Sequence, residues 1–335
     1  MVGIIHTNYK AYAASHYSGL VTGPLVGAMS SLMVRAYCDK VVKLSDVLQS
    51  YAPEKEVVSN VHGIRSEFFS KECTGDRVYF IGKLLWAKGL DKMIDLQASY
   101  RKATGKYFEM DIFGSGPEQS EIERAFLHPY YGAQTEKRTS RLPPMSFREW
   151  RREAIPARFL GRKDHAAVGH EYKIFVNPSI TEVLCTTTAE ATAMGKWVIV
   201  PSHPSNEFFT QFPNCMLYNS KQEFTKMLQH ALANDPPTMT EETQYPLTWE
   251  AATDRFLESA CTTKRDARRR DRIGKNKLDE RIAKLHYTLG TGVKGDVIRK
   301  VLGGGPVADQ YQYEKGSSPL RASRLETKLM AEVAV

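Results

Sequence analysis

A chain of 335 residues, 42% of them hydrophobic, can build one large core or two ordinary ones, and a charged fraction of 25% argues against extended disorder. The formal net charge of +8 and a pI near 9.1 favour polyanionic neighbours: phosphorylated ligands, nucleic acid or an anionic membrane surface. The five cysteines, Cys38, Cys73, Cys185, Cys215 and Cys261, form no Cys-x-x-Cys pair, which argues against a zinc site and for a reducing compartment.

The chain opens on an apolar, strand-like run, "MVGIIH", without a basic lead, so no signal peptide is expected; the run reads as the middle of a sheet. Residues 11–34 carry no Asp, Glu, Lys or Arg, yet His16, Pro24 and the glycines make them too polar and broken to span a bilayer. A packed helix over 24–36 is expected there, with a membrane-facing amphipathic patch as the alternative. Strand candidates follow at "VGIIH", "KVVKLS", "EVVSNV", "DRVYFIGK", "FEMDIFG", "ARFLG", "KIFVNPS" and "KWVIVPS". Helix candidates cover 24–36, 89–103, 117–127, 165–173, 186–194, 221–233 and 248–261. Continuous apolar strands alternating with helices predict a doubly wound, parallel α/β sheet.

Three stretches interrupt this pattern. Residues 61–76 have little periodicity and read as a linker. Residues 128–156 are rich in Pro, basic and aromatic residues and read as an inserted surface loop. From Lys264 to Arg281 nine basic residues face four acidic ones, a local net of +5, and a Gly-rich tail follows. The basic run lacks interleaved aromatics, so nucleic acid is not the expected partner; an anionic membrane contact or a solvated charged helix is.

Four turns carry candidate chemistry, each at a strand end, where doubly wound sheets bind ligands. In "FIGKLLWAKGL", Lys83 and Lys88 flank a strand–helix turn and could neutralise a diphosphate, or be two solvated lysines. In "DIFGSGPEQ", Gly114 and Gly116 allow a tight turn and Pro117 suits a helix start, a pattern also found in ordinary connections. In "NPSITEVLCTTTAEATAMG", Glu182 and Glu190 stand in an otherwise uncharged stretch, and the helix starting near Thr186 offers free N–H groups. Glu190 could simply complement the helix dipole. Glu182 has no helix to serve and needs another partner. In "GIIHTNY", His6 ends a strand, where a histidine is often only structural.

Jointly, in this order and spacing, these residues resemble glycosyltransferase family 4, retaining enzymes of the GT-B fold. The likeness rests on Lys83 with Lys88-Gly89, on Gly114 to Pro117, and on the Glu182-x7-Glu190 pair before Ala193-Met194-Gly195. Stretches such as "HTNY", "VRAYC", "NVHG", "GKLLWAKG", "HPSNEFF" and "LTWEAAT" are similar to the galactolipid-making branch of that family.

The resemblance implies two α/β domains with doubly wound sheets and a nucleotide-sugar site in the second. Residues 1–60 would be a remnant of the acceptor-side domain, 61–76 the linker, 77–261 the UDP-sugar domain with its insertion at 128–156, and 262–335 the basic tail. Lys83 and Lys88 would hold the diphosphate. Glu190 would bind the ribose, and Glu182 the hydroxyls of the donor sugar. Gly114 and the backbone of Leu184, Cys185 and Thr186 would complete the donor site, and His6 would lie at the far side of that sugar. The implied reaction moves galactose from UDP-galactose to monogalactosyldiacylglycerol with retention, the leaving phosphate itself accepting the acceptor's proton, with no metal or other cofactor. The implied location is peripheral, on the chloroplast outer envelope.

Val183-Leu184-Cys185 replaces the Gly-Phe-Gly commoner after the first glutamate, so Cys185 is expected beside the donor, which invites a thiol-sensitivity test. Lys83 stands where Arg is commoner, which gives up bidentate phosphate geometry. With several strands of the acceptor-side domain expected to be missing, weak UDP-sugar binding and little transfer by the chain alone are expected. Two alternatives stand: another family 4 enzyme using a different UDP-sugar, or an inactive, membrane-associated UDP-sugar-binding protein.

Overall fold

The computed structural model describes residues 1–7, 19–69, 75–127, 153–264, 281–285 and 287–288. Most of the insertion expected at 128–156 and most of the basic run after Lys264 lie outside the described residues. Residues 1–269 form one compact unit and 270–335 another; of the second, the described residues are helical.

The described strands form two sheets, each entirely parallel. The first has the order β1-β2-β3, from Val2–Ile5, Lys40–Lys43 and Glu56–Val58. A long helix, α1 (Gly19–Tyr37), connects β1 to β2. The second sheet has six strands: β4 (Arg77–Ile81), β5 (Met110–Phe113), β6 (Ala157–Phe159), β7 (Tyr172–Val176), β8 (Trp197–Pro201) and β9 (Cys215–Tyr218). Their spatial order is β6-β5-β4-β7-β8-β9. The chain therefore lays down β4, β5 and β6 in one direction, then returns to the other side of β4 for β7. The order reverses between β4 and β7, and the loops after those two strands carry the Lys83–Lys88 and Glu182–Glu190 segments.

Helices α2 (Leu90–Thr104), α3 (Gln119–Leu127) and α4 (Thr186–Ala193) follow β4, β5 and β7, and α5 (Lys221–Ala233) follows β9; single 3-10 segments connect β6 to β7 and β8 to β9 among the described residues. Their ends follow local chemistry. The Ser220 hydroxyl accepts from the Glu223 N–H to open α5, and Gly105, in the left-handed region, ends α2 with its N–H on Arg101 O. Strands β4, β5, β7 and β8 are buried almost residue by residue, as a sheet covered on both faces requires. On one face Val78, Phe80, Ile112, Ile174 and Ile199 pack with residues of α2, α3 and α5. On the other, Tyr79, Phe113, Tyr172, Phe175 and Val198 pack with Ala191 of α4. Burying each such side chain contributes about 1.5–3 kcal/mol. The pairing of β4 with β7 shifts register at Arg77/Val78. That bulge leaves Tyr172 and Phe175 on one face although they are three residues apart.

At the opposite, amino-terminal edge of the sheet, the buried Asp111 carboxylate accepts from Arg158 through both oxygens, at 2.6 and 2.5 Å, and from the Tyr172 hydroxyl at 2.7 Å. Burial alone would raise the Asp111 pKa; the hydrogen bonds from Arg158 and Tyr172 and the nearby guanidinium charges outweigh it and hold the carboxyl below its ordinary value. Burial, then the bond to Asp111, pushes the Tyr172 hydroxyl up to about 12.

Two expectations are corrected here. Residues 165–173 do not form a helix: a single 3-10 turn, His165–Ala167, is followed by β7 from Tyr172. A strand absent from the sequence candidates, β9, closes the sheet at Cys215–Tyr218. Within the stretch read as a linker, Ile64 and Phe68 are buried against Ala189, Ala193 and Met194 on and just beyond α4. A short helix, α6 (Glu241–Gln244), precedes α7 (Trp249–Ala260), which packs against β2 of the first sheet. There Arg255 donates to Asn60 O at 2.5 Å and Lys40 donates to Cys261 O at 2.7 Å.

Candidate active site

Three turns interlock at the carboxyl ends of β4, β5 and β7. Gly82 donates its N–H to Phe113 O, and Leu84 donates to Ser115 O, so the segment that carries Lys83 is tied to the turn after β5. Gly114 sits at φ 141°, and a Cβ there would lie 1.8 Å from Gly82 O. Only glycine allows the two turns to meet so closely. Farther along, a 3-10 turn at Trp86–Lys88 is pinned by carboxylates of the next connection: Trp86 N–H donates to Glu118 at 2.7 Å and its indole N–H to Glu121 at 3.2 Å. Gly89, at φ 81°, then opens α2, and a Cβ there would stand 2.7 Å from Pro178 O. The Lys88-Gly89 corner thus rests directly on the turn after β7.

That second turn is organised by Asn177, a buried residue just past β7. Its carboxamide oxygen accepts from Ser179 N–H, and its NH2 group reaches Cys185 Sγ at 3.0 Å and Thr188 Oγ1 at 3.2 Å. Thr181 Oγ1 donates to Ala87 O at 2.7 Å. This places Glu182 opposite Lys88, whose Nζ lies 2.5 Å from Glu182 Oε1. The partner that Glu182 required is a residue read independently as a phosphate ligand. Lys83 is exposed and, among the described residues, forms no ion pair.

The helix α4 starts at Thr186 with Cys185 as its N-cap residue. Its first N–H groups have no carbonyl one turn back to bond and face the same end of the sheet. Leu184 is half-buried, whereas Thr186 is exposed. The Cys185 side chain corrects an expectation. Its thiol is buried against Asn177, Thr187 and Thr188, and burial pushes its pKa up. It is enclosed in the core, and a buried thiol with a raised pKa is a poor nucleophile. The backbone of Cys185 remains at the helix start.

Glu190 does more than complement a helix dipole. Its Oε2 lies 2.7 Å from Nδ1 of His165, and Nε2 of that ring lies 2.8 Å from the Tyr79 hydroxyl. Tyr79 is on β4, His165 on the turn before β7 and Glu190 on α4, so a strand, a turn and a helix meet in one polar line through the apolar layer. A further histidine, His62, lies in the segment before Phe68 within electrostatic reach of Glu190. Burial lowers the His62 pKa, and the Glu190 charge works against that shift. His62 also meets the Trp249 ring edge-on at 5.3 Å between centroids. Sequence reasoning missed Tyr79, His165 and His62. None carried a local signal, since their interactions with one another and with Glu190 span 25 to 128 residues in the chain.

His6 is exposed at the end of β1, with Nδ1 2.8 Å from Thr7 Oγ1. No hydrogen bond or ion pair among the described residues joins it to Lys83, Lys88, Glu182 or Glu190. Its neighbour Ile5, however, belongs to the apolar cluster of the first sheet against which Val183 packs. The loop between Glu182 and α4 therefore meets the core of the first sheet, whose strand β1 ends one residue before His6. Among the described residues, no group of three or more His, Cys, Asp or Glu could hold a metal ion, and no helix is long and apolar enough to cross a membrane.

No family model matches the chain. Among curated proteins it is similar to digalactosyldiacylglycerol synthase 1, chloroplastic, of Arabidopsis thaliana, 38% identical over 271 residues that cover 77% of this chain and 30% of that protein. It is 40% identical over 271 residues to the Lotus japonicus protein of the same name, covering 77% and 31%. It is also 35% identical to digalactosyldiacylglycerol synthase 2, chloroplastic, of Glycine max, over 329 residues that cover 91% of this chain and 65% of that protein. The chain thus spans less than a third of the first two relatives and about two thirds of the last. Among solved structures it is similar to the pneumococcal O-GlcNAc transferase GtfA in complex with UDP and GlcNAc, at 14% identity and a TM-score of 0.46, covering 77% of this chain and 51% of that one. It is similar to the apo form of the lipopolysaccharide outer core galactosyltransferase WaaB at 14% identity and a TM-score of 0.45, covering 67% and 62%.

Proposed function

We propose that this chain carries the UDP-galactose site of a retaining galactosyltransferase that makes digalactosyldiacylglycerol from monogalactosyldiacylglycerol; its relatives are named for the synthesis of digalactosyldiacylglycerol. The observation that carries the reading is the meeting of Lys83, Lys88, Glu182 and the start of α4 at the reversal of strand order between β4 and β7. Crevices at that point of an open parallel sheet are where such folds bind nucleotides. Residues 77–261 are read as the donor-binding domain and 1–60 as part of the acceptor side, with α7 joining the two.

In this reading the ribose hydroxyls donate to Glu190, and the diphosphate lies between Lys83, Lys88 and the α4 N–H groups. The Lys88–Glu182 ion pair marks the junction of phosphate and sugar. When the diphosphate takes Lys88, the Glu182 carboxylate is released to accept from the galactose hydroxyls. As the bond from the anomeric carbon to the phosphate oxygen breaks, negative charge grows on the diphosphate, and Lys83 and Lys88 stabilise it without a metal. The departing phosphate oxygen takes the proton of the acceptor hydroxyl on the same face, which retains the anomeric configuration. His6 lines the far side of the sugar. The protein works at the surface of the chloroplast outer envelope, attached peripherally, with basic residues of the tail contributing roughly 1 kcal/mol each near anionic lipid.

The test is transfer of labelled galactose from UDP-galactose to monogalactosyldiacylglycerol in mixed micelles, with the product identified by mass spectrometry. Transfer that depends on Lys88 and Glu182 supports the reading, even at a low rate. Failure to bind UDP-galactose at millimolar concentration, in a chain shown to be folded, contradicts it.

A further inference from the structure

We propose that His165 is a positioning residue for nucleoside binding: with Tyr79 behind it, it fixes the Glu190 carboxylate so that the second oxygen faces the ribose. This rests on the reading of Glu190 as the ribose acceptor.

The argument starts from hydrogen-bond chemistry. An ionised carboxylate can only accept, so the His165 nitrogen 2.7 Å from Glu190 Oε2, Nδ1, must carry the hydrogen. In the neutral ring Nε2 is then an acceptor, and the group 2.8 Å away is the Tyr79 hydroxyl, a donor. This tautomer is assigned from the network, and it satisfies every member. The line runs from a fully buried tyrosine on β4, through a buried imidazole, to a carboxylate that keeps partial exposure. Polarity thus enters the apolar layer from the site side and reaches a hydroxyl inside it.

Packing holds the relay still. The His165 ring lies 5.7 Å from Tyr79, 5.8 Å from Phe68 and 5.9 Å from Phe175, centroid to centroid. Asp164 caps the short turn by accepting from Ala166 N–H. Phe68 comes from the segment that joins the two sheets, and Arg65 lies over its ring at 5.1 Å. A glutamate on a helix surface samples several rotamers, and binding must then fix one of them. Here Oε2 is held in advance, so Oε1 is the oxygen left for two neighbouring hydroxyls.

The test is calorimetric titration of UDP into the whole chain and its variants. Glu190→Ala sets the scale. His165→Leu should weaken UDP by about tenfold, the size of one lost charge-assisted hydrogen bond. His165→Asn, which offers an amide N–H near the position of Nδ1, should recover affinity to within roughly threefold of wild type. Tyr79→Phe keeps the ring and removes the hydroxyl, and should weaken UDP by roughly threefold, since the tautomer is then no longer enforced. In the Glu190→Ala background, neither His165→Leu nor Tyr79→Phe should change the affinity further.

A general packing role would weaken UDP equally in both backgrounds and would not be rescued by Asn; that result overturns the inference. If Glu190→Ala weakens UDP while His165→Leu and Tyr79→Phe do not, the inference fails and the ribose site stands. If Glu190→Ala has no effect, the ribose site fails and the inference with it. Should His165→Leu not fold, Tyr79→Phe in the two backgrounds decides: equal weakening in both, or none in either, overturns the proposal.

Discussion

The two sheets of this protein share a design and differ in how it is completed. Both are parallel and built from short apolar strands, and each β4, β5, β7 or β8 side chain past Arg77 is enclosed by helices, turns or neighbouring strands. In the three-stranded sheet Ile4 is 47% exposed and Val58 44%. That sheet is joined to the rest of the chain by α7, which packs on β2, and by Val183, which packs against the apolar cluster that includes Ile5 and Leu48. The larger sheet is therefore the rigid platform. The residues read as donor ligands stand on its turns, while His6 stands on an element whose placement depends on contacts with that platform.

This contrast can be broken most strongly in the core. Phe80→Ala in β4 should cost about 3–5 kcal/mol, as large-to-small changes at buried aromatics do. Ile4→Ala in β1 should stay within about 0.5 kcal/mol. Equilibrium urea unfolding of the two variants compares them directly, and similar losses would remove the distinction between the sheets.

The next effect tests the polar closure of the larger sheet. Asp111→Asn should cost about 1.5–3 kcal/mol at neutral pH, the worth of hydrogen bonds to a charged group. The sign of the pH dependence follows from the lowered pKa of Asp111 in the folded protein. Its contribution is fully present above the unfolded value of about 3.9 and is lost as pH falls through the folded value. The gap between wild type and Asp111→Asn should therefore hold at pH 7 and shrink progressively below about pH 4. Thermal unfolding across that range measures it, and a gap that widens on acidification would contradict the assignment.

Smaller in stability and larger in function is Gly114→Ala. A Cβ 1.8 Å from Gly82 O, on a backbone at φ 141°, must push the turn after β5 away from the Lys83 turn. Strain of this kind costs about 1–3 kcal/mol. Because Gly82 precedes Lys83, UDP affinity should fall along with the melting temperature. A variant that melts lower but binds UDP as wild type does would show that the turn after β5 does not set the position of Lys83.

Much of this was legible in the sequence, because its signals are local. Strands β4 to β8 of the larger sheet were visible as continuous apolar runs, and Gly114 and Lys88-Gly89 as turn chemistry at strand ends. Glu182 could be singled out as a charge without a local reason, and its partner is a residue 94 positions earlier. What could not be read depends on contacts distant in the chain or on orientation. The pattern of residues 165–173 suits a helix, yet Tyr172 onward pairs with β4 and β8 and the strand wins. The four-residue strand β9 is recognised only by its pairing with β8. The spacing from Asn177 to Cys185 gave no sign that the Asn177 amide would turn the thiol inward. Glu190 was identified for its spacing from Glu182, while the histidine that holds it lies on another connection.

The central claim divides the two glutamates between the two halves of one ligand. Its most direct test is calorimetric titration of UDP, UDP-galactose and UDP-glucose into wild type, Glu190→Ala and Glu182→Ala. Glu190→Ala should weaken all three ligands alike, by about tenfold or more. Glu182→Ala should leave UDP as tight as in wild type or tighter, because it frees Lys88 from its ion pair, and should chiefly abolish discrimination between the two sugars. Equal loss of UDP in both variants, with sugar discrimination intact in Glu182→Ala, would contradict the account.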